Sequence, residues 1–244
     1  MRKLLLTMAL VTVAFTAEAQ QFKVGLGGGV NSTWLLNKNI SDQGEAIDYA
    51  TTFGGAFGLK TQYFFNEKMG IELGILYSGH NQKYETNEEG FGWEVKTKLS
   101  YVDIPVLFHY GSGKGFYFEI GPQFSFLTGA KDEDLAFSFG GVNIPLETTD
   151  VKDSFNKTNV ALVLGAGMDI PVSDFLTVTA GLRFGYGFTD VTKDYTNDLN
   201  TNDELELSIT TLGAHFNSDG DIDYKPTKRI FGGIHVGVLY HLPF

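Results

Sequence analysis

The sequence predicts an all-β protein, an eight-stranded antiparallel β-barrel of the kind that crosses an outer membrane. Three observations carry that reading. An export segment opens the chain, the remainder alternates apolar and small or polar residues with period two, and the connections alternate short and long. Composition agrees: the 244 residues include 30 Gly, 21 Phe and 11 Tyr but only 6 Pro, and 19% are charged. Abundant aromatics with abundant glycine suit pleated strands whose backbones approach closely. No cysteine is present, which excludes a disulfide scaffold, a thiolate metal site and a cysteine nucleophile. A formal net charge of -11 gives nucleic acid no basic face to bind.

Residues 1–19 read as a signal peptide, leaving 20–244 as the barrel domain. Arg2 and Lys3 precede an apolar run from Leu4 to Phe15, and Ala17-Glu18-Ala19 forms a small-x-small cleavage site. The run is shorter than the ~20 residues of a spanning helix. Beyond it no comparable apolar run occurs, so a membrane role for the mature chain requires a barrel.

The strands follow in order. Val24, Leu26 and Val30 alternate with Gly25, Gly27 and Gly29. Phe53, Phe57, Leu59 and Tyr63 alternate with Gly54, Gly58, Lys60 and Gln62. Ile71, Leu73, Ile75 and Tyr77 alternate with Glu72, Gly74 and Ser78. Val102, Ile104, Val106, Phe108 and Tyr110 alternate with Asp103 and His109. Phe116, Phe118, Ile120, Phe124 and Phe126 alternate with Glu119, Gln123 and Ser125. Val160, Leu162, Leu164, Ala166, Met168 and Ile170 alternate with Gly165, Gly167 and Asp169. Leu176, Val178, Ala180, Leu182, Phe184 and Tyr186 alternate with Thr177, Thr179, Gly181, Arg183 and Gly185. Ile234, Val236, Val238, Tyr240 and Leu242 alternate with His235, Gly237 and His241. Each is a ribbon with one oily face. Residues 66–68, 111–114 and 171–174 are tight turns, whereas 35–49, 86–90, 130–154 and 190–228 are mostly longer and polar, which places the long loops at one end. The stretch 190–228 reads as a solvated loop.

The second face is mainly Gly, Ser and Thr, too poor in charge for a water-facing exterior, so the oily face meets lipid. Aromatic girdles are expected from Phe64, Phe65, Tyr110, Phe116, Phe175, Tyr240 and Phe244 at the short-turn end. Tyr77, Trp93, Phe126, Tyr186 and Phe188 would form the other. Tyr240, Leu242 and Phe244 resemble the C-terminal assembly signal of outer-membrane barrels, which makes the barrel assembly machinery a partner during insertion. Outer membrane lipid is the standing partner, and the long loops are candidate contacts for another protein.

Six charged residues fall on the inward phase: Lys60, Glu72, Asp103, Glu119, Asp169 and Arg183. In a narrow lumen they must pair, and Arg183 is expected to meet Asp103 or Glu119. Structural plugging is the leading reading of this polar network and a gated ion path the alternative. Pro105 and Pro122 should mark bulges or lost ladder bonds. Catalysis would need a Ser/His/acid group near the outer rim, where only His80 is expected on a strand, with Ser78 on the same face; two residues of one strand make no triad. The run Asn217, Asp219, Asp221 and Asp223 around Gly220 has spaced oxygen ligands, but Pro226 stands where a calcium loop would carry its last Glu, so an acidic turn is preferred. No cofactor is called for.

The segment SYVDIPVLFHYGSGKGFYFEIGPQFSFLTGAK resembles the central motif of the PorT-like outer-membrane β-barrel family. Tyr101, Asp103, Ile104 and Pro105 carry a Tyr-x-acid-Ile-Pro pattern, Gly121 and Pro122 follow, and a Leu-Gly-Ala-Gly strand begins at Leu164. The resemblance implies localisation in a Gram-negative outer membrane and, through the family's name, a component of the type IX secretion machinery. Three functions are carried forward: a non-enzymatic structural or surface-interaction protein acting through its long loops, a secretion component, and an outer-rim lipid-modifying hydrolase.

Overall fold

Period-two alternation over a closed ring is what the chain adopts. The structure is a computed structural model that describes residues 21–86, 91–111, 115–139, 142–145, 147–199 and 207–242. The signal segment 1–19 and Phe244 lie outside the described residues. Among the described residues no helix is long and apolar enough to cross a membrane.

The barrel strands are β1 (Gln21–Leu36), β3 (Phe53–Phe64), β4 (Met69–Glu85), β5 (Phe91–Gly111), β6 (Phe116–Phe139), β9 (Thr158–Ser173), β10 (Leu176–Gly187) and β11 (Lys228–Leu242). Each pairs antiparallel with its sequence neighbour in this set, and β1 pairs β11 from Phe22 opposite Leu242 to Leu36 opposite Lys228, which closes the ring. Short accessory strands β2 (Asp48–Ala50), β7 (Val142–Pro145) and β8 (Thr149–Asp150) edge the outer end. Closure leaves no edge among the spanning strands, so their backbone groups are satisfied within the ring, as a lipid environment demands.

The turns follow their residues. Asn66 Oδ1 accepts from the backbone N–H groups of Lys68 and Met69, both at 2.9 Å, and so closes the β3–β4 turn. Two prolines inside strands interrupt pairing without bulges. The β4–β5 ladder lapses opposite Ile104 and Pro105, and the β5–β6 ladder lapses opposite Gly121 and Pro122, with register unchanged across both gaps. Pro has no N–H to give a ladder, so the gaps fall where the sequence puts it.

Orientation of the oily face is uniform. Leu26, Phe57, Phe118, Leu182 and Ile234 point outward, each more than 60% exposed, which in water would be an exceptional apolar surface and in lipid is the normal wall. Phe116, Phe175, Tyr110 and Tyr240 flank one end, and Tyr77, Phe126, Tyr186 and Phe188 the other.

Three expectations are corrected. Phe64 is no girdle residue: it shares the phase of Lys60 and Gln62 and lies buried in the lumen. Trp93 stands nine residues along β5 from Val102, which pairs with Tyr77, so it belongs to the outer extension and not to the aromatic ring. And the connection expected at 130–154 opens as strand, because β6 runs on to Phe139; β4, β5 and β6, at 17, 21 and 24 residues, exceed the ~10 that span a bilayer and rise as a sheet above the membrane.

Replacing Val236 with Arg tests which side meets lipid. Unfolding in vesicles should lose about 2–4 kcal/mol, the penalty for a cation on the lipid face at mid-depth. An unchanged denaturant midpoint would show that Val236 faces water.

Candidate functional site

Among the described residues the lumen concentrates the titratable side chains, and it is filled in layers. At the short-turn end Lys23 Nζ lies 4.0 Å from Asp169 Oδ2 and 4.9 Å from the Phe64 ring centre. His109 stacks on Tyr117 with 4.3 Å between ring centres. The Tyr117 hydroxyl reaches His235 Nε2 at 2.8 Å, linking this layer to the next.

The middle layer is the ionic centre. Arg183 Nε donates to Glu119 Oε1 at 2.5 Å, and Arg183 Nη2 donates to Glu119 Oε2 at 3.0 Å and to Glu72 Oε1 at 2.6 Å. Lys60 Nζ sits 3.1 Å from Glu72 Oε2, which also accepts from Gln62 Nε2 at 3.0 Å. The planar guanidinium can hold two carboxylates at once, which a lysine could not do with the same geometry. Room for it is made by glycine: a Cβ at Gly165 would fall 2.3 Å from Glu119 Oε1. Arg183 therefore meets Glu119, and Glu72 as well, but not Asp103. The reason is register: Asp103 pairs with Leu76 on β4, one inward position beyond Gly74 and two beyond Glu72, a full layer higher.

Above the ionic centre a cavity of about 70 Å³ is lined by Lys60, Ser78, His80, Asp103, Arg183 and His235, among others. Among the described residues Asp103 Oδ1 and His235 Nδ1 lack hydrogen-bond partners in protein, so this space is suited to water. Next comes a chain of short-range bonds. Ser78 Oγ donates to Asp103 Oδ2, His80 Nε2 lies 3.1 Å from the same oxygen, and His80 Nδ1 lies 3.1 Å from Thr33 Oγ1. Arg229, fully buried, donates to Ser125 Oγ at 2.7 Å and lies over the rings of Tyr101 and Phe231.

His80 is therefore a lumen residue, 1% exposed, and not a rim residue. The fold does assemble Ser78, His80 and Asp103, but the serine hydroxyl bonds the carboxylate and not the imidazole. A nucleophile must contact its base and be open to substrate. Thr33 has the contact, yet it is 1% exposed.

Among the described residues below the lid, Lys23, Lys60, Arg183 and Arg229 stand against Glu72, Asp103, Glu119 and Asp169, and a fifth buried carboxylate, Asp132, lies higher, at the lid. Below the lid four cations meet four carboxylates, so that part of the lumen is balanced. Lys23 and Arg229 were not singled out from sequence. Both lie on inward phases, Arg229 at successive steps of two before His235, so the signal was available.

The outer mouth is closed by folded loops. Leu35, Leu99, Tyr101, Leu127, Ala130, Val151, Phe155 and Val191 form a buried apolar layer across it. Helix α1 (Lys38–Asp42) and helix α3 (Ile209–His215) pack above, with the short helix α2 (Thr196–Leu199) between them in sequence. Asp132 Oδ1 accepts from the hydroxyls of Thr97 at 2.7 Å and Ser208 at 3.1 Å, and Asp132 Oδ2 accepts from Ile209 N–H at 3.0 Å, so a barrel carboxylate caps the start of α3. Asn37 Nδ2 donates to Lys225 O at 2.6 Å, and Asn39 Nδ2 to Asp223 O at 2.7 Å and Ala214 O at 3.0 Å, tying the first long loop to the last. The described part of 190–228, residues 190–199 and 207–228, is thus no solvated loop: Thr210, Thr211, Ala214 and His215 are fully buried. Within it burial raises the Tyr224 hydroxyl pKa, and that hydroxyl donates to Asp190 Oδ2 at 2.5 Å. Hydrogen bonds from Thr196 hold the Asp194 carboxyl below its ordinary value. Asn217 Oδ1 accepts from Asp219 N–H and Asp221 N–H, and Gly220 takes φ +83°, so 217–223 is a tight acidic turn with its lead oxygen already committed. Among the described residues no group of three His, Asp or Glu is placed to hold a metal.

Two substitutions test this arrangement. Arg183→Met should destabilise the folded barrel by about 3–5 kcal/mol in urea titrations, because Glu72 and Glu119 lose their shared partner while still buried. Adding Glu72→Gln and Glu119→Gln should restore most of the loss. Asp132→Ala should speed amide exchange across Ile209–His215 at least tenfold, leaving β9 and β10 protected; uniform exchange rates would show that the carboxylate does not anchor the lid.

Comparison with known proteins follows this geometry. No curated protein sequence matches the chain. Among solved structures, OprG from Pseudomonas aeruginosa shares 11% identity at a TM-score of 0.43, covering 93% of this chain and 97% of its own. Neisserial surface protein A shares 11% identity at 0.39, covering 91% of this chain and 99% of its own. Ail of Yersinia pestis, solved with the heparin analogue sucrose octasulfate, shares 12% identity at 0.34, with 91% and 99% covered. Residues 18–193, well over half of the sequence, match the outer membrane protein beta-barrel domain. The chain belongs to that outer-membrane barrel family.

Proposed function

We propose that this protein is a non-enzymatic structural or surface-interaction barrel, whose interior serves as a rigid mount and whose folded lid is the presented surface. The observation that carries the reading is the doubled closure of the lumen, by the Arg183–Glu72–Glu119 centre and by the apolar layer under the lid. A plugged lumen offers solutes no open path. Loops tied together through Asn37, Asn39 and Asp132 hold a fixed shape, as a recognition surface needs. Hydrolysis is disfavoured by the misdirected Ser78 hydroxyl and the burial of His80. The PorT-like secretion role keeps only its family resemblance, with no residue here that speaks for it.

Planar bilayer recordings test the mount. The purified protein should give no stable open channel, and a steady porin-sized conductance would overturn the plugged reading. Replacing 194–226 by a short Gly-Ser link tests the surface. Crosslinked partners recovered from native outer membranes should fall several-fold while the barrel still inserts, and secretion of exported proteins should be unchanged in a strain lacking the gene. A secretion defect would favour the machinery role instead.

A further inference from the structure

His215 stands where the parts of the last long loop meet, in a role that the cap at Asp132 does not account for. It ends helix α3 and is fully buried. Its Nδ1 lies 2.7 Å from the Thr211 carbonyl oxygen, and its Nε2 accepts from the backbone N–H of Tyr195 at 2.7 Å. A carbonyl only accepts and a peptide N–H only donates. These two contacts therefore set the ring as neutral, with its proton on Nδ1 and the Nε2 lone pair aimed at Tyr195. The His215 carbonyl accepts from Asp223 N–H at 2.8 Å, so one residue ties 194–199 and 223–225 to α3.

A second partner waits beside the first. Asp194 Oδ1 lies 3.5 Å from His215 Nε2, beyond the range of a good hydrogen bond. That oxygen accepts from Thr196 N–H at 2.9 Å and from the Thr196 hydroxyl at 2.6 Å, bonds that favour the ionised carboxyl. The other titratable rings here are Tyr224, centred 4.7 Å away, and Tyr195, at 6.3 Å. Both stay uncharged at neutral and acid pH. Asp190 receives the Tyr224 hydroxyl, Lys193 Nζ donates to Asp153 O, and Lys225 Nζ donates to Asp223 Oδ1. From α1, Asn39 reaches the neighbouring Ala214 carbonyl, while Lys38 and Asp42 are exposed. Ser154 meets α3 through its carbonyl, and Asp132 lies at the opposite end of that helix.

Acid reverses the preference of the ring. Imidazole is the ordinary side chain that gains charge between pH 8 and pH 5. A proton on Nε2 makes both ring nitrogens donors, so the ring no longer accepts from Tyr195 and its new N–H calls for the carboxylate of Asp194. The Tyr195 bond is therefore present at higher pH and lost as pH falls. Asp194 and Tyr195 are adjacent, so exchanging one for the other turns the peptide between them and shifts α2, which follows at once.

We propose that His215 is an acid-sensitive latch of the lid: its neutral ring holds 194–199 in place through Tyr195, and its protonated ring gives up Tyr195 for Asp194 and loosens that segment. The latch rests on the surface-interaction reading for its purpose, since it makes the presented surface depend on pH. Its test reads the lid without any partner, so failure of the latch and failure of the surface role are separate results.

Hydrogen exchange of the mature protein in detergent micelles at pH 7.5 and pH 5.0, expressed as protection factors to remove the intrinsic effect of pH, tests it. Protection across 194–199 should fall about fivefold at pH 5.0, the loss expected for one hydrogen bond, while β9 and β10 keep theirs. His215→Gln should abolish the difference between the two pH values. Asp194→Asn, which weakens the acceptor for the charged ring, should move the change to lower pH. Nitrogen NMR of the parent should show the Nδ1–H tautomer of His215 at pH 7.5, a readout that stands even where a variant loses its lid. Equal protection of 194–199 at both pH values overturns the latch, as does an Nε2–H tautomer at pH 7.5 or a pH effect that persists in His215→Gln. An unchanged midpoint in Asp194→Asn overturns the exchange of partners.

Discussion

Lipid against the oily face of every strand is the constraint from which the rest follows. It forces each backbone polar group into the ladder, closes the ring and sends every polar side chain inward. Eight strands make a lumen so narrow that inward residues must pack against one another as a protein core does. This core, however, is built from the residues that a soluble protein would put outside. The problem the sequence solves is how to fill a tube with Lys, Arg, Asp, Glu and His without leaving a buried charge alone.

It does so by balance and by layering. Below the lid four cations face four carboxylates, and the tightest group joins β4, β6 and β10 through one guanidinium, with β3 held in by Lys60. Strands on different sides of the ring are thereby tied across the lumen. Such a centre specifies register: sliding a strand by one residue would turn its inward charge to lipid, a much larger penalty than slippage on a neutral ribbon. Dry packing is most extensive where the loops return, at Leu35, Leu99 and Phe155, with a smaller apolar cluster of Leu107, Ala161, Val163 and Phe231 lower in the lumen, and the larger layer is what makes the outer end a lid.

Much of this was legible in the sequence because period two is so nearly unbroken. Lys60, Glu72, Asp169 and Arg183 announce themselves as charges on a small-residue phase, and Gly165 and Gly185 on the same phase announce room for large neighbours. Phe64 shows where reading by residue type fails: its aromatic ring suggested a girdle, but its parity with Lys60 and Gln62 decides its direction. The lid was not legible. Residues 190–228 are rich in Asn, Asp and Thr, a composition that in isolation has too little apolar area to fold. They fold because their partners are supplied from far away in sequence, by Asn37, Asn39, Asp132 and Ser154. A local pattern cannot report a donor or acceptor that lies 77 residues distant, as Asp132 does from Ile209.

The same distance explains how the two ends of the barrel can serve different ends. Lumen charges fix the strands to each other, so the wall is insensitive to what the loops do. The lid is fixed to the wall by polar bonds of ordinary strength and by the packing of Val151, Phe155 and Val191 on Leu35, Leu99 and Tyr101. A barrel built this way can exchange its outer loops while keeping its mount, because neither Arg183 nor its carboxylates touch the lid. Selection on a surface then acts on residues whose loss the membrane-embedded part does not feel, and a rigid, balanced, plugged interior is what allows the outer surface to vary.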